Sequence, residues 1–137
     1  MPLIAYRPEY RIYLDEERNH LTYERLEELT LAPDLPHYLS DIARALKLVK
    51  PGFTLLCDLR RTLGPNLRVL PLFQASREML QAAEVGMVVE VHSPQPSMLR
   101  LTQMLRRKVS LPTHQFTELQ EAEAFLAHFR MRVACEQ

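Results

Sequence analysis

Phe53-Thr54-Leu55-Leu56-Cys57 is a short, almost continuous apolar run that follows Pro51-Gly52 and precedes the acidic Asp58. Its length and its Gly/Pro border favour a buried strand over a helix. A second run, Met87-Val88-Val89-Glu90-Val91, is rich in β-branched residues and is the clearest strand in the chain. The two runs predict the centre of a buried sheet.

Helical segments lie on either side of these strands in the sequence. One runs from Leu35 to Val49 and ends at Pro51-Gly52, and another begins near Pro71 and ends near Gly86. Apolar residues at every third or fourth position predict that each helix buries one side. Because strands separated by such helices usually pair in parallel through right-handed crossovers, we expect the two central strands to be parallel.

The ends of the chain extend this pattern. Tyr10 to Leu14 and Leu21 to Leu26 read as two strands of an N-terminal β-hairpin around a polar turn. After the central strands, the spacing predicts a helix from Met98 to Lys108, a short strand over residues 112–116 and a last helix from Leu119 to Phe129. The predicted fold is therefore α/β, with a single mixed sheet of four to five strands, an N-terminal β-hairpin and about four helices.

Length and composition fit one globular domain. The chain has 137 residues, so we expect a single domain over residues 1–137 with a core from about 10 to 130. The 17 basic and 17 acidic residues leave no net charge, which argues against a nucleic-acid partner. The sequence has no signal peptide and no apolar run of about 20 residues, so we expect a cytoplasmic protein without a membrane span.

Three stretches resemble the STAS domain, specifically its SpoIIAA-like branch, which is grouped with the Sec14-type fold. They are the strand ending in an acid over residues 53–59, the strand from Met87 to Val91, and the ending from His114 to Leu126. The resemblance implies a non-catalytic regulatory module that binds another protein, as bacterial anti-sigma factor antagonists do. It also implies a phosphorylatable serine in an Asp-Ser-Ser-Gly context, but here Leu67 takes that place and Thr62 is the nearest hydroxyl.

Polar side chains follow both central strands. Asp58, Arg60, Arg61 and Thr62 follow the first, and His92 and Ser93 follow the second; we call this set the strand-end rim. In open parallel sheets, ligands bind beyond the carboxyl ends of the strands, and arginines suit a carboxylate, a phosphate or an acidic peptide. The alternative is a solvated loop in which Asp58 pairs with one arginine. The two groups of rim residues can form one site only if the two central strands are neighbours in the sheet.

No catalytic or cofactor motif is present. The sequence lacks HxH, HExxH, CxxC, GxSxG and glycine-rich phosphate-binding patterns, so we expect no metal, no cofactor and no enzymatic activity. A protein-binding module, with a protein partner or a homodimer, is the favoured function. A small-molecule or lipid-binding domain of Sec14-like type is the alternative, and it requires an apolar cavity of a few hundred Å³ or more. An enzyme would require Asp58, Arg60, Arg61 and His92 to converge.

Overall fold

A computed structural model describes residues 3–26, 37–61, 70–92 and 111–136. These ranges contain six strands and three helices. In chain order they are β1 (Leu3–Tyr6), β2 (Tyr10–Asp15), β3 (His20–Arg25), α1 (Tyr38–Leu46), β4 (Thr54–Asp58), α2 (Leu70–Ala82), β5 (Met87–Val91), β6 (Thr113–Phe116) and α3 (Leu119–Glu136).

The strands form one mixed sheet whose spatial order follows the chain from β1 to β6. Strands β1, β2 and β3 pair antiparallel, and β3, β4, β5 and β6 pair in parallel. The α/β class, the mixed sheet and the N-terminal hairpin are confirmed. The pairing also makes β4 and β5 parallel neighbours, with Asp58 opposite Val91.

The expected number of four to five strands is wrong, because Leu3–Tyr6 forms a sixth strand beside β2. This segment has four residues, and only Ala5 is fully buried, so it lacks the alternation that marks a longer half-buried strand. Three helices lie in the described ranges, against about four expected. The predicted helix from Met98 to Lys108 lies outside those ranges.

Two apolar clusters hold the helices to the sheet. Helices α1 and α2 cover one face, the α1–α2 face, where Tyr38 and Phe73 pack against the larger cluster of buried residues. Helix α3 lies on the other face, the α3 face, where Ala122 and Leu126 pack against β4 and β5. Apolar burial of this kind is the main favourable term in the stability of the fold.

The hairpin strands alternate between the two faces as the period of two predicts. Ile12, Leu21 and Tyr23 point towards the α1–α2 face and are buried. Arg25 follows in the same phase and is only 5% exposed. A charged side chain at a position whose neighbours are apolar is unusual, and it leads to the polar groups described below.

Candidate functional site

Part of the strand-end rim forms a hollow on the surface. Asp58, Arg60 and Arg61 line it together with Glu24, and its volume is about 360 Å³. Arg60 donates two hydrogen bonds to the Asp58 carboxylate, from Nε at 2.9 Å and from Nη2 at 2.8 Å. The pairing of Asp58 with one arginine, which the solvated-loop alternative expected, is therefore present in the structure. Arg61 is exposed beside this pair.

The ion pair sets the charge state of Asp58. Burial by itself would raise the pKa of this carboxyl, but the hydrogen bonds and the positive charge of Arg60 outweigh burial and lower the pKa. Asp58 therefore stays ionised near neutral pH and holds Arg60 beside it. A ligand carboxylate or phosphate would have to compete with Asp58 for Arg60, whereas Arg61 can bind without that competition.

His92 does not join this hollow. It is 1% exposed, and its Nε2 lies 3.9 Å from Oε1 of Glu90, two residues earlier on the same face of the strand. Side chains of a strand alternate between faces, so His92 lies on the α1–α2 face, whereas Asp58 lies on the α3 face beside Leu56. Sharing one edge of the sheet therefore does not bring Asp58 and His92 together. The other two rim residues, Thr62 and Ser93, lie outside the described residues, as does Leu67.

A second polar group lies inside the domain, at the carboxyl ends of β3, β4 and β5 on the α1–α2 face. The register places Tyr23, Cys57 and Glu90 in one row across these strands. Arg25 and Arg77 line the same internal cavity, whose volume is about 90 Å³. Sequence reasoning missed this group, although Arg25 and Glu90 each stand in phase with apolar neighbours, which is the signal that could have revealed them.

Aromatic rings and burial shape the environment of these groups. The guanidinium carbon of Arg25 lies 4.3 Å from the centre of the Phe73 ring, a cation–π contact between two buried side chains. Burial raises the pKa of the Cys57 thiol to about 12, and the carboxylate of Glu90 acts in the same direction. Cys57 is therefore a protonated thiol at neutral pH, which suppresses its reactivity as a nucleophile.

A groove of about 490 Å³ separates α3 from β2 and β3 on the α3 face. Tyr13, Glu24 and Asp58 line it on the side of the sheet, and Arg130 lines it on the side of the helix. His20 also borders the groove, where Nδ1 lies 2.7 Å from the Thr54 hydroxyl. Burial lowers the pKa of His20 to about 4, and the positive charge of Arg130 acts in the same direction.

His20 makes the stability of the fold depend on pH. Its pKa is about 4 in the folded protein and near 6.5 when unfolded, so the unfolded state takes up a proton first as the pH falls. We expect the free energy of unfolding to fall by about 1.5 kcal/mol between pH 6.5 and 5 through this one group. Urea denaturation followed by circular dichroism measures it. His20→Gln should remove this component, whereas His37→Gln, at an exposed site, should retain it.

Within the described ranges no group of three or more His, Cys, Asp or Glu residues is arranged to hold a metal ion. None of the helices in those ranges is both long enough and apolar enough to cross a membrane.

The comparisons with known proteins found no matching family model, no matching curated protein and no matching solved structure.

Proposed function

We propose that this protein is a non-catalytic, STAS-like regulatory module that binds another protein through the α3 face of its sheet. The observation that carries the proposal is the exposed half of that face. Helix α3 packs on β4, β5 and β6, whereas the side chains that β1, β2 and β3 present there remain partly or fully exposed. We call the following part of this set the open sheet face: Leu3, Tyr6, Arg11, Tyr13, Thr22 and Glu24.

The chemistry of the open sheet face suits a protein partner. Tyr6 is 63% exposed, and the Arg11 guanidinium lies 4.8 Å from the centre of its ring. Arg11 also lies 3.8 Å from Glu24, which borders the hollow with Asp58 and Arg60. Tyrosine and arginine are among the residue types enriched at protein interfaces, because they combine apolar area with directed hydrogen bonds. The open sheet face and the hollow thus offer one continuous surface.

Two observations support a binding role over catalysis. The enzyme hypothesis needs His92 to meet Asp58 and the two arginines, and His92 is buried on the opposite face. The thiol of Cys57 is protonated at neutral pH because burial raises its pKa to about 12. Lipid transport of Sec14 type receives less support, since the internal cavity has about 90 Å³ rather than the few hundred Å³ that a lipid-sized ligand needs.

The test is an affinity capture from the native host with paired variants. We expect the wild type to capture one protein in stoichiometric amount. Arg60→Ala/Arg61→Ala should reduce the recovery of that protein at least about tenfold, since truncating a charged interface contact costs about 2 kcal/mol or more. Tyr6→Ala/Arg11→Ala should act similarly. If the partner is a second copy of the chain, size-exclusion chromatography with light scattering compares dimer formation by the wild type and by these variants.

The control removes the same amount of charge elsewhere. Lys47→Ala/Lys50→Ala changes two exposed cations after α1, on the helix-covered side of the sheet, and should leave capture unchanged. Equal capture by all variants would refute the location of the interface. If no protein is captured and the chain is monomeric, the binding-module proposal fails.

A further inference from the structure

The internal cavity combines a polar end with an apolar body. Its polar groups come from the last residues of β3, β4 and β5 and from the facing helices, whereas the next row of the sheet inward consists of Leu21, Leu55 and Val88. Ile42, Leu46 and Leu80 complete the apolar part. A volume of about 90 Å³ would accommodate several water molecules, but each buried water needs two to four polar partners. The apolar part of the lining cannot supply them.

Two charged groups at the polar end have unused hydrogen-bonding atoms. Arg25 is 5% exposed, and its Nε has no hydrogen-bond partner in the described structure. Glu90 is 7% exposed, and its Oε1 is likewise without a hydrogen-bond partner among the described residues. Phe73 contacts the face of the Arg25 guanidinium, which does not satisfy the N–H groups at its edge. Buried charged groups of this kind are costly unless something else pairs with them.

We propose that this cavity binds a small 2-hydroxy acid of the size of 2-hydroxypropanoate. The carboxylate accepts from the edge of the Arg25 guanidinium, the hydroxyl donates to Oε1 of Glu90, and the methyl group lies among the leucines. A hydroxyl suits the second position better than an ammonium group, because Arg25 and Arg77 both line the cavity and would repel a third cation. The site lies on the face opposite the proposed protein interface and does not depend on it.

The test titrates the full chain with each of four probes. The readout is the chemical shifts of the backbone amides, measured by NMR. We expect 2-hydroxypropanoate to shift amides of β3, β4 and β5 with a Kd at or below about 1 mM, within reach of a ligand of this size. Removing the hydroxyl (propanoate), replacing the carboxylate (the alcohol propane-1,2-diol) or replacing the hydroxyl with an ammonium group (L-alanine) should each weaken binding about tenfold or more.

Variants assign the two polar contacts. Arg25→Met keeps a long apolar side chain against Phe73 and should abolish the preference for the acid over the alcohol. Glu90→Gln should reduce the preference for the hydroxy acid over propanoate. Arg11→Met, the same substitution on the open sheet face, is the matched control and should bind like the wild type. Ala45→Leu fills the cavity from α1 and should prevent binding of every probe.

Three results would overturn the proposal. One is the absence of saturable shifts at β3, β4 and β5 with any probe, which would mean that the cavity holds water alone. Another is equal binding of the acid and the alcohol by the wild type. This comparison does not depend on whether any variant folds. The third is tighter binding of L-alanine than of the hydroxy acid. None of these results bears on the capture experiment, so the two proposals fail separately.

Discussion

Asp41→Ala is expected to lower the free energy of unfolding by about 3 kcal/mol, because it removes the centre of a partly buried ion-pair network. Asp41 is 2% exposed and accepts hydrogen bonds from Arg7 Nε at 3.0 Å and from the Tyr10 hydroxyl at 2.6 Å. Arg44 donates a further hydrogen bond at 3.1 Å. The network joins the hairpin end of the sheet to the first turn of α1. Without Asp41, the buried hydroxyl of Tyr10 loses its acceptor, which accounts for much of the loss.

Urea denaturation followed by circular dichroism measures this effect, and two variants separate its causes. Asp41→Asn keeps an acceptor while it removes the charge, so we expect a smaller loss than with alanine. Arg44→Ala removes a partner that is 53% exposed and should cost less than about 1 kcal/mol, as exposed ion pairs do. If Asp41→Ala cost no more than Arg44→Ala, the network would not be what holds α1 to the hairpin.

The network also predicts how Asp41 responds to acid. Burial alone would raise its pKa, but the hydrogen bonds from Arg7 and Tyr10 outweigh burial, so the pKa lies below the ordinary value of 3.8. A carboxyl with a lowered folded pKa stabilises the protein above its unfolded pKa and loses that contribution as the pH falls through the folded one. The stability difference between the wild type and Asp41→Asn should therefore narrow below about pH 4.

Gly86→Ala should destabilise the protein by about 3 kcal/mol, the upper part of the range for overpacking. An added Cβ would lie 2.5 Å from the Gly52 carbonyl oxygen and 2.9 Å from its carbon. Both atoms belong to the backbone and cannot rotate away. The two turns are also joined by hydrogen bonds from Gly52 N–H to the Glu84 carbonyl and from Gly86 N–H to the Phe53 carbonyl, both at 2.7 Å. These turns lead into β4 and β5, so a shift there disturbs the centre of the sheet.

Gly52→Ala is the matched substitution for this contact. Gly52 has a φ of +87°, but a Cβ there would have no heavy atom within 4 Å. Its expected cost is the conformational penalty alone, about 1 to 2 kcal/mol. The same denaturation experiment therefore compares backbone strain with steric overlap. Equal losses for the two variants would contradict the close approach of Gly86 to Gly52.

Local pattern was sufficient for most of the described fold. The apolar runs at β4 and β5, the alternation in β2 and β3 and the helical spacing before β4 all predict elements that the structure contains. These patterns work because burial repeats with the period of each element. β1 was missed because an edge strand of four residues with one buried side chain shows almost no alternation of apolar and polar residues.

The candidate site was less predictable from sequence. Asp58 and Arg60 are two residues apart, and their pairing was foreseen as one of two outcomes. Placing His92 with Asp58 required knowing the strand phase as well as the strand order. The two side chains share an edge of the sheet but lie on opposite faces.

By itself the sequence determined the α/β class, the hairpin and the positions of the central strands, because these depend on periods within about fifteen residues. Only the tertiary structure decided which side chains meet. Arg25, Cys57 and Glu90 are far apart in the chain, and the parallel register of β3, β4 and β5 brings them to one cavity. The open sheet face likewise exists because α3 packs on β4, β5 and β6. The register of the strands and the packing of helices on them are non-local, so no local pattern encodes which side chains meet.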